Sequence, residues 1–237
     1  MEKSTKGDVR LPVHVAVIPD GNRRWAKKHH LPALVGHQRG YDRANQLAKH
    51  ARRMGIKILT YWAFSTENWK RAAGEVNHLM GLFERAISLH LREALVDQVR
   101  IVHLGRKDRL PPTLKKKISD AEEKTRAFRR HYLAIALDYG GRDEVIRAIS
   151  KLEKGNLGGR DLEKNGLDRY LDTKDLPQPE PDLIIRTSAQ QRTSGFMLWQ
   201  SQYSEYAFVD KLFPDFTAAD FDQCIADYLG RQRRFGA

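Results

Sequence analysis

The stretch VIPDGNRRW, from Val17 to Trp25, ends an apolar run and then places an Asp, a Gly, an Asn and two Arg within five residues. A simple turn needs only residues such as Gly and Asn, which tolerate positive φ. Asp20 and the two arginines therefore require a functional explanation. The run that precedes them, VHVAVI over 13–18, has the continuous apolar character of a strand buried on both faces.

Apolar runs of strand length alternate with helical patterns along the rest of the chain. The predicted strands cover 13–18, 58–64, 100–105, 132–139, 182–188 and 206–211. One helix is predicted from Tyr41 to Gly55, a typical residue after a helix end, and Pro111 and Pro112 open another. The fold class is therefore α/β: a single domain with a central, mostly parallel, six-stranded sheet flanked by helices.

Composition narrows the class of partner. The chain has 237 residues, a formal net charge of +12 and one cysteine. An excess of positive charge favours anionic partners, which include phosphorylated small molecules, nucleic acids and anionic membrane surfaces. A single cysteine excludes an internal disulfide, and no apolar run approaches the ~18 residues typical of a membrane span. With no secretory signal at the N-terminus, we expect a cytoplasmic protein.

Polar and cationic residues follow several of the predicted strands. In parallel α/β sheets ligands bind beyond the carboxyl ends of the strands, so these residues are candidates for one site. They are Asp20, Gly21, Asn22, Arg23 and Arg24 after the first strand; Ser65, Glu67, Asn68, Trp69 and Arg71 after the second; Asp138 to Arg142 after the fourth; and Arg186, Arg192 and Ser194 after the fifth. Arginine forks and glycine-lined backbone suit phosphate groups. Two anion sites beside one Asp favour a phosphate reaction bridged by Mg²⁺.

The motifs that mark two other classes of phosphate-binding protein are absent from the sequence. The chain contains no GxxxxGK[ST] loop and no GxGxxG fingerprint, so neither a P-loop NTPase nor a Rossmann dehydrogenase is expected.

Several motifs in a fixed order resemble the cis-prenyltransferase family, which includes undecaprenyl diphosphate synthase. The resemblance runs nearly end to end and rests on HVAVIPDGNRRWA, GHQRGYD, YWAFSTENWKR with Glu75 downstream, LDYGGRDE, PDLIIRTSAQQRTSGFMLWQSQYSEY, FPDF and RRFG. It implies that residues 13–237 form the catalytic domain, preceded by a mobile extension over 1–12. It also implies the reaction: an allylic diphosphate loses pyrophosphate and is joined to isopentenyl diphosphate, which leaves a new cis double bond.

The resemblance also implies residue roles. Asp20 matches the essential Asp that acts through Mg²⁺, with Asn68 as a second catalytic residue and Glu205 as a carboxylate that helps to hold the metal. The allylic diphosphate pocket matches Gly21, Asn22, Arg23, Arg24, Trp25 and His37, and the isopentenyl diphosphate pocket matches Arg186, Arg192 and Ser194. A loop that closes over the site matches Ser65, Glu67, Trp69 and Arg71. An apolar product tunnel is implied along the helices that carry Leu47 and Ala51 and Leu79, Met80, Phe83 and Ile87.

Partners follow from the same resemblance. A homodimer is implied, in which Arg234 to Gly236 can reach the neighbouring subunit. A long product and a basic chain favour peripheral contact with a membrane, whereas no nucleic-acid partner is expected. The segment between Arg126 and Tyr132 is compatible with a membrane-facing patch or with a solvated helix end.

Departures from the family pattern leave the chain length and the type of product undetermined. Ala33 stands where family members commonly carry an Arg, four residues before His37, so one expected diphosphate contact is absent. Ala63 is small, which is compatible with a long product. We therefore expect a long, undecaprenyl-like polyprenyl diphosphate. The alternatives are a short, medium-chain or irregular product, or a non-catalytic subunit of such an enzyme.

Overall fold

A computed structural model describes residues 10–154 and 166–231 of the chain. The six strands are β1 (His14–Ile18), β2 (Ile58–Ser65), β3 (Val99–Leu104), β4 (His131–Tyr139), β5 (Leu183–Arg186) and β6 (Glu205–Phe208). The α-helices in these ranges are α1 (Asn22–Lys28), α2 (Ala33–Met54), α3 (Ala73–Asp97), α4 (Pro112–Thr125), α5 (Gly141–Lys154) and α6 (Ala218–Leu229). Short 3₁₀ helices cover Thr66–Lys70, Leu167–Tyr170, Asp172–Asp175 and Phe213–Asp215.

The strands form one sheet in the order β3-β4-β2-β1-β5-β6, and every pair is parallel. The predicted six-stranded α/β sheet is therefore confirmed. Parallel pairing brings the carboxyl ends of all six strands to one edge. Ile18 and Arg186 are register partners there, so the segments that follow β1 and β5 leave the sheet side by side.

Both faces of the sheet are buried, as the continuous apolar strands predict. Val15 and Val17 of β1 pack in a core with α2, α3, α4 and α6, whereas Ala16 and Ile18 point to the opposite face. That second face is covered by Phe196 and neighbouring apolar side chains of the segment before β6. Among the described residues, no helix combines the length and the apolar character needed to cross a bilayer.

Helix α2 begins at Ala33, eight residues before the predicted start at Tyr41. Gly36 and Gly40, which weaken a helical pattern, lie inside it where α1 crosses. A Cβ on Gly36 would lie 2.1 Å from the carbonyl oxygen of Asn22, and one on Gly40 would lie 2.4 Å from the Asn22 side-chain oxygen. The two glycines are therefore required by the close contact between α1 and α2.

Two other expectations concern chain segments at the termini. Most of the predicted extension over 1–12 lies outside the described residues, although Pro12 is already buried. The expected role of Arg234 to Gly236 also falls outside the described residues.

Candidate active site

Two adjoining cavities lie at the carboxyl edge of the sheet. Both are lined by Pro19, Asp20, Asn22, His37 and Arg71. One of them adds Ser65, Asn68, Arg186 and Ser194, and the other adds Gly21, Arg23, Arg24 and Arg192. Together they contain five arginines and one carboxylate, that of Asp20. This imbalance of charge makes the pair of cavities suitable for a strongly anionic ligand.

Asp20 lies between two arginines from different parts of the chain. Its Oδ1 accepts a hydrogen bond from Arg24 at 3.1 Å, and its Oδ2 accepts one from Arg186 at 2.9 Å. Burial by itself raises the pKa of Asp20, but the hydrogen bonds and charges of Arg186 and Arg24 lower it below its ordinary value. The carboxylate is therefore ionised at neutral pH.

The segment after β5 is folded around these same arginines. Buried Arg186 donates to the carbonyl oxygen of Arg192 and to the Ser194 hydroxyl, the latter at 2.9 Å. Arg24 donates to the carbonyl oxygen of Ser188 at 3.2 Å and to its hydroxyl. Ser188, Ala189 and Ser194 all have positive φ, which non-glycine residues rarely adopt. The arginine hydrogen bonds compensate for this unfavourable backbone geometry and hold the segment beside Asp20.

Gly21 allows α1 to start directly beneath the site. Its φ is 108°, and a Cβ there would lie 2.9 Å from Leu212 Cδ2 and 3.1 Å from Ser188 Cβ. Any other residue would separate the turn after β1 from the segment after β5.

Glu75, at the start of α3, connects three of the predicted site residues. Its Oε1 lies 3.1 Å from His37 Nε2 and accepts a hydrogen bond from Arg71 at 3.0 Å, while its Oε2 lies 3.9 Å from Arg23. Burial lowers the pKa of His37; Glu75 opposes this shift, and Arg71 and Arg23 add to it. His37 is therefore neutral at pH 7 and can donate one N–H.

The short helix Thr66–Lys70 positions Asn68. The backbone N–H of Ser65 donates to Asn68 Oδ1 at 3.1 Å, which leaves the Asn68 amide nitrogen as a donor toward the cavity. Trp69 faces away and donates its indole N–H to Asp138 Oδ1 at 2.9 Å. Asp138 is fully buried with a φ of 54°, and it also accepts from Arg109 Nε at 2.9 Å. Asp138 thus fixes the helix that carries Asn68.

An apolar tunnel of about 820 Å³, including its open mouth, leads away from the anionic site. It shares Pro19, Asn22, His37, Ala63 and Leu79 with the cavity that contains Arg186. The tunnel runs between α2, α3 and the sheet. Of the side chains expected to line it, Leu79, Phe83 and Ile87 do so, whereas Met80, Leu47 and Ala51 pack in the surrounding core.

Most of the predicted site residues meet at the two cavities. They are Asp20, Gly21, Asn22, Arg23, Arg24, His37, Ser65, Asn68, Arg71, Arg186, Arg192 and Ser194. Three others lie near the cavities but do not line them. Trp25 donates to Asp215 at 2.8 Å, Trp69 to Asp138, and Glu67 is exposed on the short helix.

Glu205 is not brought to Asp20 within one subunit. It pairs with Leu183, three residues before Arg186, so it lies roughly 10 Å away along the strand direction, at the amino edge of the sheet. There its Oε2 accepts from Arg231 at 2.8 Å. The reason is that the first residue of a parallel strand lies at the edge of the sheet opposite to a residue that ends or follows a strand. The geometry of a single chain therefore does not support a metal site shared by Asp20 and Glu205.

Glu75 lies outside the set of predicted site residues, because the sequence marks it only as a residue downstream of a motif. Asp138 is a candidate by its position after the fourth strand, at the same edge of the sheet as Asp20, but its contact with Trp69 is visible only in the structure.

The donor set around Asp20 fits one magnesium ion shared with a phosphorylated ligand. Each oxygen of an ionised carboxylate has two acceptor positions, and the arginines occupy one on each oxygen. Mg²⁺ takes one or two carboxylates and completes its shell with phosphate oxygens and water. In 10–154 and 166–231, no group of three or more His, Cys, Asp or Glu side chains forms a metal cluster. Asp20 is the protein ligand that this geometry provides.

An anion site that opens into an apolar tunnel suits an amphiphilic, phosphorylated ligand. The comparisons with known proteins agree. Residues 18–236 match the family described as "Putative undecaprenyl diphosphate synthase". An isoprenyl transferase of Thermotoga maritima is 47% identical over 96% of this chain and 98% of its own. A ditrans,polycis-undecaprenyl-diphosphate synthase, (2E,6E)-farnesyl-diphosphate specific, of Lactiplantibacillus plantarum is 41% identical over 96% of this chain and 90% of its own.

A solved structure is similar as well. Lavandulyl diphosphate synthase from Lavandula x intermedia, in complex with dimethylallyl diphosphate, has a TM-score of 0.90 and 37% identity over 96% of this chain and 99% of its own. The chain belongs to the undecaprenyl diphosphate synthase family, and it is a prenyltransferase of the cis-prenyl diphosphate synthase type.

Proposed function

We propose that the protein is a Mg²⁺-dependent cis-prenyltransferase that condenses isopentenyl diphosphate with an allylic prenyl diphosphate. The allylic C1–O bond breaks and pyrophosphate leaves, C4 of isopentenyl diphosphate bonds to C1, and a proton is lost from C2 to give the new double bond. The observation that carries the proposal is the junction of an arginine-lined cavity with an apolar tunnel, at Ala63 and Leu79.

The two cavities support two diphosphate positions on either side of Asp20. Gly21, Arg23 and Arg24 line the one proposed for the allylic diphosphate, and Arg186 and Ser194 line the one proposed for isopentenyl diphosphate. Arg192 lines the first cavity, and its carbonyl oxygen accepts a hydrogen bond from Arg186 of the second. Preorganised cations stabilise the charge that develops on departing pyrophosphate.

Mg²⁺ held by Asp20 would neutralise diphosphate charge and so assist departure of the leaving group. The protein's own residues hold the reactants. Arg24 and Arg186 keep Asp20 ionised and oriented, Asn68 presents an amide donor, and Trp69 with Asp138 fixes the helix that covers the site. The role proposed for this helix is to exclude water from the allylic carbon.

A long-chain product is supported by the apolar lining of the tunnel and by the small side chain of Ala63 at its entrance. The second candidate is a short or irregular prenyl diphosphate. The similarity to lavandulyl diphosphate synthase and the presence of Ala33 favour it. A non-catalytic subunit is disfavoured because Asp20, Arg24, Arg186 and Arg192 are all retained and line the two cavities.

The subunit surface beside β6 supports a homodimer. Phe208 of this edge strand, together with Trp199 and Tyr203 of the segment that precedes it, exposes a large aromatic side chain. Glu205 lies on the same strand, so it could act on a metal only in the site of a second subunit that approaches this surface. The proposed location is the cytoplasm, with peripheral contact to a membrane, and the proposed partners do not include nucleic acid.

Product analysis tests the proposal. The protein is given Mg²⁺, labelled isopentenyl diphosphate and, separately, C5, C10, C15 and C20 allylic primers. Asp20→Asn is compared with Asp227→Asn, an exposed Asp on α6. Long cis products lost only in Asp20→Asn support the main proposal, and short products support the second candidate. No incorporation with any primer would refute an enzyme that acts alone.

A further inference from the structure

Two further cavities lie beyond the apolar tunnel, toward the amino edge of the sheet. Ala48, His90 and Leu133 line both the tunnel and a second cavity of about 470 Å³. That cavity shares Arg52 and His131 with a third, of about 880 Å³, which is open at the surface. Adjacent cavities therefore follow the length of β2, roughly 23 Å at about 3.3 Å per residue, from the anionic site to the opposite edge.

The lining of this path changes from apolar to polar along its length. The second cavity contains the ion pair of Lys49 and Glu93, at 2.7 Å, together with Arg52 and His131. Asn45 Oδ1 also lies there, buried and without a hydrogen-bond partner among the described residues. Such a lining suits hydrated or polar head groups rather than a hydrocarbon chain. The apolar part of the path thus ends just inside the surface.

The surface around the opening of the third cavity is basic. We call Arg52, Arg53, Lys57, Arg129 and Arg130 the basic rim. Arg52 is paired with Asp97 at 2.5 Å, whereas the other four have no carboxylate partner among the described residues. Backbone contacts place the members together, because Tyr132, two residues after Arg130, donates its N–H to the Lys57 carbonyl oxygen at 2.8 Å.

Exposed aliphatic side chains lie beside the basic rim. Val96, at the end of α3, is 83% exposed and lines the third cavity, and neighbouring Leu95 is 45% exposed. Cations combined with exposed aliphatic groups match the interfacial region of an anionic bilayer. A symmetric contact with a second copy would instead place the unpaired cations of two rims against each other.

We propose that the basic rim docks on an anionic membrane and places the third, open cavity against the lipid head groups. Resting on the proposed function, this holds the enzyme at the bilayer in which its lipid product dissolves. The diphosphate site, at the opposite edge of the sheet, stays in contact with soluble substrates.

Co-sedimentation of the full-length protein with vesicles tests the docking. Phosphatidylglycerol-containing vesicles are compared with phosphatidylcholine vesicles at low and high salt. The double variant Arg53→Glu/Arg130→Glu is expected to lose about 25-fold or more in partitioning to anionic vesicles, since each basic residue contributes roughly fivefold. Val96→Asp is expected to weaken binding at both salt concentrations. The matched control Arg169→Glu/Lys174→Glu changes the net charge equally, at exposed positions on the 3₁₀ helices 167–170 and 172–175.

Equal losses in the rim and control variants, or equal binding to both vesicle types, would overturn the inference. Rim-dependent binding of duplex DNA that exceeds vesicle binding would assign the surface to nucleic acid, and rim-dependent self-association would assign it to a second copy; both would refute it. Thermal unfolding verifies that the variants fold. Product formation from a short soluble primer without vesicles is measured separately, so an inactive protein that still docks through the rim fails only the proposed function.

Discussion

The contact between Gly36 and Asn22 provides a sharp test of how α2 positions the site. In Gly36→Ala the new Cβ would lie 2.1 Å from the Asn22 carbonyl oxygen, so α1 must move by roughly 1 Å to restore van der Waals contact. Overpacking of this kind costs about 1–3 kcal/mol, while replacing a helical Gly by Ala returns up to about 1 kcal/mol. We expect a net destabilisation of about 1–2 kcal/mol.

The matched control is Gly81→Ala in α3, where the nearest atom to the new Cβ is Arg85 Nη1 at 3.6 Å. This contact is unstrained, so the helix propensity of Ala dominates, and we expect a gain of about 0.5–1 kcal/mol. For a chain of this size 1 kcal/mol corresponds to about 2–4 °C in Tm. The two Gly→Ala changes are therefore expected to shift Tm in opposite directions.

Activity should separate the two variants further. Asn22 begins α1, and Asp20 and Arg24 move with it. A displacement of about 1 Å at a catalytic group can cost about a hundredfold in rate, so kcat/KM is expected to fall by that order in Gly36→Ala and to stay unchanged in Gly81→Ala. Urea unfolding, thermal unfolding and pyrophosphate release measure these effects. If Gly36→Ala gains stability as Gly81→Ala does and retains full activity, the claim that the contact of α1 with α2 requires Gly36 is refuted.

Three further predictions follow from individual contacts. Burial lowers the pKa of His14 to about 4, so the unfolded state alone takes up a proton as pH falls from about 6.5 to about 4; the free energy of unfolding should fall over that range by up to about 3 kcal/mol. His14→Gln should flatten this slope in urea titrations, and an unchanged slope would contradict it. Trp69→Phe removes the hydrogen bond to Asp138 and should lower kcat/KM about tenfold while the enzyme stays folded; wild-type kinetics would show that Asp138 does not position the short helix. Ala63→Leu narrows the tunnel entrance and should shorten the product, as measured by chromatography. Products of unchanged length would show that Ala63 does not control product length.

The sequence by itself determined the α/β class, the six strands and most of the residues that line the two cavities. This was possible because parallel strands that are buried on both faces read as continuous apolar runs, and because their carboxyl ends share one edge. Residues that directly follow β1, β2 and β5 could therefore be assigned to one location without knowledge of the packing. The same rule would have placed Glu205 at the other edge, since it precedes the apolar part of the sixth strand.

Only the tertiary structure decided how these residues are held. Glu75 contacts His37, Arg71 and Arg23, and Asp138 accepts a hydrogen bond from Trp69 in a backbone conformation that a sequence does not reveal. Helix α2 starts eight residues before its predicted start, and its first turns contact α1 closely. The path from the site to the basic rim likewise depends on how α2 and α3 pack over β2. Strand patterns report local burial, whereas side-chain partners and cavities depend on distances between residues that are far apart in the chain.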